Sequence, residues 1–266
     1  MWFDIKLAWR NVLRNKRRTV IAGIAIGIGL ACLIFYDGLI IGMEELSIRG
    51  STETFLGEAQ IHRKGFLDTW DTALTIRESR KVIDKLKTDS RVQDYSPRTL
   101  AMAMISSPAG VNSVQLVGLD PSRERHVTRI NDAIMEGAFF EGDNPRDIII
   151  GSELARILQT GLGDRVVITV SMTETGDLVQ EMFRISGIYH FSIKEMDQGM
   201  ALVRLPVAQT MLGIDDRIHE IAVRFTQLQY ASRKDLPFWT TYSAHGNEAV
   251  SWEDRLPQLK TLFEMT

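Results

Sequence analysis

Residues 20–36 read VIAGIAIGIGLACLIFY, seventeen positions without a charge, and after Asp37 the run GLIIGM carries the apolar character on to Met43. A helix needs roughly 20 residues to cross about 30 Å of hydrocarbon. Residues 20–43 satisfy that length if Asp37 sits at the far interface, where a charge costs least. Lys16, Arg17 and Arg18 stand immediately before the run. Basic residues are retained on the cytoplasmic side, so the N-terminus is expected inside and the rest of the chain outside. Three other readings fit less well. A cleavable signal peptide has a shorter apolar core followed by a small-x-small cleavage site. A lipoprotein signal built on Gly29-Leu30-Ala31-Cys32 has its branched residue one place off, with apolar residues continuing past the cysteine. A buried core helix has no need of a basic leader. The segment is expected to span.

Within the span the small residues are regularly spaced. Gly23 and Gly27 form GxxxG, Ala25 and Gly29 repeat the spacing, and Gly38 and Gly42 form a second pair. Small residues four apart make a strip on which another helix can pack closely, although glycine is also simply common in membrane helices. Asp37 reads as a cap at the outer interface, or as a polar site within the span.

Upstream, Trp2, Ile5, Ala8, Trp9, Val12 and Leu13 share one arc at helical spacing, flanked by Lys6, Arg10 and Arg14. This leader, residues 1–18, is expected to lie on the inner membrane surface with its tryptophans at headgroup level and its cations near anionic lipid. A contact surface for a cytoplasmic partner would require the same residues: Trp2, Trp9, Arg10, Arg14, Lys16, Arg17 and Arg18. Residues 2–18 hold six Lys/Arg against one Asp, whereas the formal charge of the whole chain is -3. A basic leader thus precedes an acidic body, which argues against a nucleic-acid binder. A single cysteine among 266 residues excludes an internal disulfide framework.

Beyond Met43 the pattern becomes mixed α and β. Residues 44–54 look like a helical extension of the span, residues 59–63 like a strand, and residues 77–87 like an amphipathic helix with Val82, Ile83 and Leu86 inward. Strands are expected at 100–106 and 113–118 around the turn Pro108-Ala109-Gly110, and a buried strand at 147–150. Ser152 is placed to N-cap a helix over 153–159. Gly163-Asp164 turns into a strand at 165–171, and Thr175-Gly176-Asp177 closes a hairpin with 179–189. Two further strands are expected at 200–204 and 220–225, with Pro206 opening a short helix between them. Residues 227–247 are polar and fit no pattern. The outcome is an α+β body over residues 44–255, large enough for one core or two lobes.

Chemistry is sparse in this body. There is no GxxxxGK[ST] phosphate loop, so the chain is not expected to hydrolyse nucleotide. No GxSxG elbow occurs, and Ser152 in GSELA is read as a cap. The histidines, at 62, 126, 190, 219 and 245, occur singly without metal-ligand spacing. No catalytic residue, cofactor or metal is expected.

Several segments together resemble one family. The leader LAWRNVLRNKRRT running into IAGIAIGIGLA is similar to the start of FtsX-like ABC transporter permeases, which include lipoprotein-releasing and MacB-type members. IIIGSELARILQTGLGDRVVIT resembles that family's strand–Gly–helix–Gly-Asp–strand unit, and FRISGIYH with MALVRLPVAQTMLG resembles the strands and short helix next in order. SWEDRLPQLKTLFEM, residues 251–265, is similar to the approach to a second membrane helix, whose lead-in is taken as residues 256–266. The resemblance implies a membrane protein with an N-terminal amphipathic helix, one transmembrane helix at 19–43 and a MacB-like periplasmic core domain. It further implies the N-terminal part of a bacterial inner-membrane permease, three more membrane helices being expected after it. Its partners would be a separate ABC ATPase subunit, a second permease copy or paralogue, membrane lipid and a lipoprotein or hydrophobic substrate. A member that regulates a cell-wall hydrolase is also compatible. A single-span anchored periplasmic binding or adaptor protein is the alternative from another class.

Overall fold

The computed structural model describes Trp2, residues 16–191 and residues 193–257. The chain divides into two units, Met1–Arg49 and Gly50–Thr266. In the first, helix α1 runs continuously from Lys16 to Ser51. Five glycines between Gly23 and Gly42 would make such a helix marginal in water, where glycine costs about 1 kcal/mol relative to alanine. In hydrocarbon the alternative is an unpaired backbone, and the sequence has no other way of satisfying it. Along α1 the side chains from Lys16 to Leu39 are exposed.

Among the described residues of the second unit, ten strands form one mixed sheet: β1 (Ala59–Arg63), β2 (Val92–Ser106), β3 (Val111–Leu119), β4 (Ile134–Gly137), β5 (Asp147–Gly151), β6 (Arg165–Ser171), β7 (Leu178–Tyr189), β8 (Met200–Arg204), β9 (Glu220–Phe225) and β10 (Asn247–Ser251). Their order is β10-β1-β9-β2-β3-β8-β5-β7-β4, and β6 pairs with both β2 and β7. That double pairing closes a ring, β2-β3-β8-β5-β7-β6, and leaves β9, β1 and β10 as a wing. Strand β2 serves both parts. Its first half, Val92 to Arg98, pairs with β9, and its last residues, Met104 to Ser106, pair with β6. Two lobes therefore share one 15-residue strand.

Alternation with period two explains the ring's core. Ala101, Ala103 and Ile105 of β2, Val114 and Leu116 of β3, and Val166, Ile168 and Val170 of β6 all point inward. Helices α5 (Ser152–Leu158) and α7 (Leu205–Leu212) add Leu154, Leu158, Ala208 and Leu212 to this cluster. A second cluster gathers Phe66, Leu100, Val117, Leu119, Ile130, Phe139, Phe140, Ile149 and Leu202.

Most expected elements appear; strands β4 and β10 and the helices Pro121–Val127 and Lys194–Gly199 fall where none was expected, and three further differences are instructive. Strand β2 begins at Val92 rather than near Leu100, because Ser96 and Arg98 are polar residues whose partners lie far away in sequence. Residues 227–247 contain the helix α8 (Pro237–Tyr242). Phe238, Trp239 and Tyr242 of α8 form an aromatic cluster with Phe225. Ser152 is not an N-cap: Gly151 occupies that position without a side-chain hydrogen bond, and Ser152 is the first helical residue. The junction is set instead by close packing, since a Cβ on Gly151 would collide with the Asp197 carbonyl oxygen.

Candidate functional site

The most concentrated chemistry in the body is a buried charge network on the wing. Antiparallel register places Arg98 of β2 directly opposite Glu220 of β9. Helix α4 (Pro121–Val127) starts at Asp120, whose carboxylate accepts from Ser122 N at 2.9 Å, and brings Glu124 over the same face. Arg98 is fully buried. Its Nη1 donates to Glu220 Oε1 at 2.6 Å, while Nε and Nη2 fork onto the two oxygens of Glu124 at 3.1 and 2.5 Å. Ser96 Oγ and Thr128 Oγ1 donate to Glu124 at 2.7 and 2.8 Å. Burial alone would raise the Glu124 pKa, but the guanidinium and the two hydroxyls outweigh it and hold the carboxyl below its usual range. Burial would likewise lower Arg98, and its two carboxylates overcome that to raise it.

The network reaches the segment that follows α1. A π turn, Thr52–Leu56, is closed by Gly57 N donating to Thr52 O at 2.8 Å. Phe55 of this turn lies under the Arg98 guanidinium, 4.1 Å from the ring centroid. Glu53 accepts from Arg224 Nη2 at 3.3 Å, and its carbonyl accepts from Arg129 N at 2.6 Å. Gly57 has φ of 75°, and a Cβ there would lie 3.2 Å from Val223 O. Next, Glu58 Oε2 accepts from Phe225 N at 2.7 Å. The other end of the body lies alongside: Ala59 of β1 is opposite Ser251 of β10, and Trp252 N donates to Glu58 O at 3.2 Å. Ser251 then opens α9 (Trp252–Arg255) with a capping box to Asp254. The first and last strands of the body therefore leave it side by side.

His62 of β1 joins this network at Glu220 Oε2, 3.5 Å away, and meets Gln60 Oε1 at 3.1 Å. Burial, reinforced by Arg255 and Arg98, pushes its pKa down to about 4 against the opposing pull of Glu220. Apart from His62 Nδ1, which has no hydrogen-bonding partner among the described residues, the groups of the network hold one another, so the arrangement ties elements together. A second constellation is unsuited to catalysis. Ser152 Oγ and Asp197 Oδ2 both approach Nδ1 of His190, at 2.9 and 2.8 Å. A hydrolytic triad needs the two on opposite ring nitrogens. Among the described residues no group of three or more His, Cys, Asp or Glu is placed to hold a metal ion.

The residues singled out from sequence lie elsewhere. Lys16, Arg17 and Arg18 form the exposed first turn of α1, and Asp37 is exposed further along it. A Cβ at Gly23, Gly27, Gly38 or Gly42 would touch nothing within 4 Å. At about 3.6 residues per turn these four glycines fall within an arc of about 100°. Trp2 is exposed, while Trp9, Arg10 and Arg14 lie outside the described residues. Sequence reading missed Phe55, Arg98, Glu124 and Glu220. A signal was present in β1, where the buried polar residues Gln60 and His62 alternate with Ala59 and Ile61.

Known proteins share this architecture. The family of the MacB-like periplasmic core domain matches residues 19–231. The chain is 24% identical over 276 residues to the lipoprotein-releasing system transmembrane protein LolC of Neisseria meningitidis serogroup B, covering 94% of this chain and 64% of that protein. It is 22% identical over 250 residues to the lipoprotein-releasing system transmembrane protein LolE of Haemophilus influenzae, covering 89% and 58%. The chain thus spans between 58% and 64% of the length of these two relatives. In fold, the periplasmic region of MacB from Actinobacillus actinomycetemcomitans superposes with a TM-score of 0.52 at 13% identity, over 80% of this chain and 95% of that one. The extracellular domain of the ABC-type transporter YknZ from Gram-positive bacteria gives 0.50 at 13% identity, over 72% and 98%.

Proposed function

We propose, from the premise that this chain belongs to the MacB-like periplasmic core domain family, that it is a permease component of an ABC transporter in the bacterial inner membrane. The observation that carries this reading is the pairing of β1 with β10, which brings the two ends of the body together. A domain carried between two membrane segments needs that arrangement, whereas one tethered at a single end does not. The N-terminus lies in the cytoplasm and the body outside, as the cations Lys16, Arg17 and Arg18 before the apolar run favour. A separate ATPase subunit supplies the energy, and a second permease copy or paralogue completes the path.

In this reading the chain transmits motion. The π turn Thr52–Leu56 is gripped by Phe55 on Arg98 and by Glu53 on Arg129 and Arg224. A displacement of that turn is delivered to β2, β9 and α4 together, since Arg98, Glu220 and Glu124 belong to one hydrogen-bonded unit. Similarity to lipoprotein-releasing proteins favours a lipoprotein or another hydrophobic substrate. The glycine face of α1 supplies the close approach for a second membrane helix.

The test is purification of the tagged protein from its native membrane in mild detergent. Vanadate-sensitive ATP hydrolysis should travel with the tag and be lost when Arg10, Arg14, Lys16, Arg17 and Arg18 are neutralised. A single-span protein that purifies without any ATPase would replace this reading with a membrane-anchored periplasmic adaptor.

A further inference from the structure

Beside the charge network, Phe66 stacks with two imidazoles. Its centroid lies 5.7 Å from that of His62 and 5.1 Å from that of His219, each pair of rings 15° from parallel. All three side chains are buried. Phe66 begins a strap, residues 66–76, that crosses the wing and ends where Ile76 N donates to Ile218 O at 2.8 Å. The middle of the strap is fastened by His219, whose Nε2 donates to Thr72 O at 2.9 Å. Further support comes from Thr173 Oγ1, which donates to Thr72 Oγ1 at 3.0 Å.

Both rings are in defined tautomers. His219 Nδ1 accepts from Leu100 N at 3.1 Å, so that nitrogen is bare and Nε2 carries the hydrogen. His62 Nε2 faces the Gln60 and Glu220 oxygens and carries its hydrogen, while Nδ1 has no hydrogen-bonding partner among the described residues. A second proton on His219 would set one donor against another. On His62 it would place a charge in a buried site beside Arg255 and Arg98, and burial opposes that charge more than Glu220 and the His219 backbone favour it. The charged groups facing His62 are Glu220 from β9, Arg255 from α9 and Arg98 from β2. Those facing His219 are Arg217, Glu220 and Asp71, the last on the strap itself.

We infer that His62 and His219 make the strap an acid-released latch, closed while both rings are neutral and opened when they take up protons. This inference is independent of the transport reading. Burial holds both rings neutral, His62 down to about 4 and His219 below its usual value. The closed form binds fewer protons than the open form, so the latch is strongest above the ordinary histidine pKa near 6.5 and weakens as pH falls toward 4. Down to about pH 4 the opening constant should rise by up to about tenfold per pH unit through His62, and more steeply where His219 adds its own proton. Glu124 stays ionised through this window, because its carboxyl is held below the usual range.

The experiment is hydrogen–deuterium exchange of the full chain in detergent micelles between pH 7 and pH 4.5, corrected for intrinsic exchange. Peptides covering residues 66–76 and 98–102 report the latch, and a peptide covering residues 166–170 reports the ring. The expected result is a steep rise in opening at the strap with the ring unchanged. His62→Gln and His219→Gln should each make the slope shallower than that of the unmodified chain. A strap whose corrected exchange is flat across this range overturns the inference, as does a strap that opens only together with the ring. A slope unaltered in both variants overturns it too. If a variant does not fold, the pH slope of the unmodified chain decides alone.

Discussion

Helix α1 and the wing of the body are inverted copies of each other in polarity. Along α1 the apolar side chains are outside, with Ile26 and Phe35 each 72% exposed. In the wing the charges are inside, with Arg98 and Glu124 fully buried. Both arrangements are costly in water, and the remedy differs. The exposed apolar surface of the helix calls for a partner, either lipid or another helix. The wing carries its partners within itself, three charged side chains and two hydroxyls drawn from β2, β9 and α4. Changes to the helix should therefore alter what the protein associates with, and changes to the wing should alter whether the body stays folded.

The largest expected effect is at Arg98. Arg98→Met leaves Glu124 and Glu220 buried without their counter-charge and should lower the stability of the body by about 3–5 kcal/mol. Chemical denaturation in detergent reads this, and adding Glu124→Met and Glu220→Met should recover most of the loss. Failure of the triple variant to recover would mean that the network also performs a task that apolar packing cannot. Acid comes next. The folded pKa of His62 lies below its unfolded value, so its contribution is complete above about pH 6.5 and lost as pH falls toward 4. That loss is on the order of 3 kcal/mol. A thermal midpoint that does not fall between pH 7 and pH 4.5 would contradict the neutral, buried state of this ring.

Gly23→Ile with Gly27→Ile should leave the denaturation of the body unchanged while weakening helix association in the membrane by about 1–2 kcal/mol. Crosslinking between spans measures this, and a shifted body midpoint would blur the contrast between the two regions. Smallest is Arg80→Ala, which removes an ion pair with Asp216 in which both side chains are mostly exposed. Solvent screens such pairs, so neither the midpoint nor the association should move measurably.

Much of the ring was legible because its strands bury one face and alternate with period two. Residues 165–171 and 178–189 are bounded by turn residues on both sides, and their register follows from the hairpin between them. The strand 92–99 was not legible. Asp94, Ser96 and Arg98 alternate as a solvent-facing edge would, and only Glu124 and Glu220, 26 and 122 residues away, reverse that reading. The short helix at 237–242 was hidden because Phe238 and Trp239 pack on Phe225, a contact that no local pattern records. Ser152 misled for a local reason: a hydroxyl before a helix usually caps it, yet close packing of Asp197 on Gly151 had already set the junction.

The sequence by itself determined the membrane segment, the mixed character of the body and most strand positions, because hydrophobic length and periodicity are properties of neighbouring residues. That β2 belongs to two lobes, that β1 returns beside β10, and that Arg98, Arg129 and Arg224 grip the π turn came from the tertiary structure alone. Those features depend on pairings across the length of the body. A buried charge is stable only when its partners arrive from elsewhere in the chain, and no local pattern records where they come from.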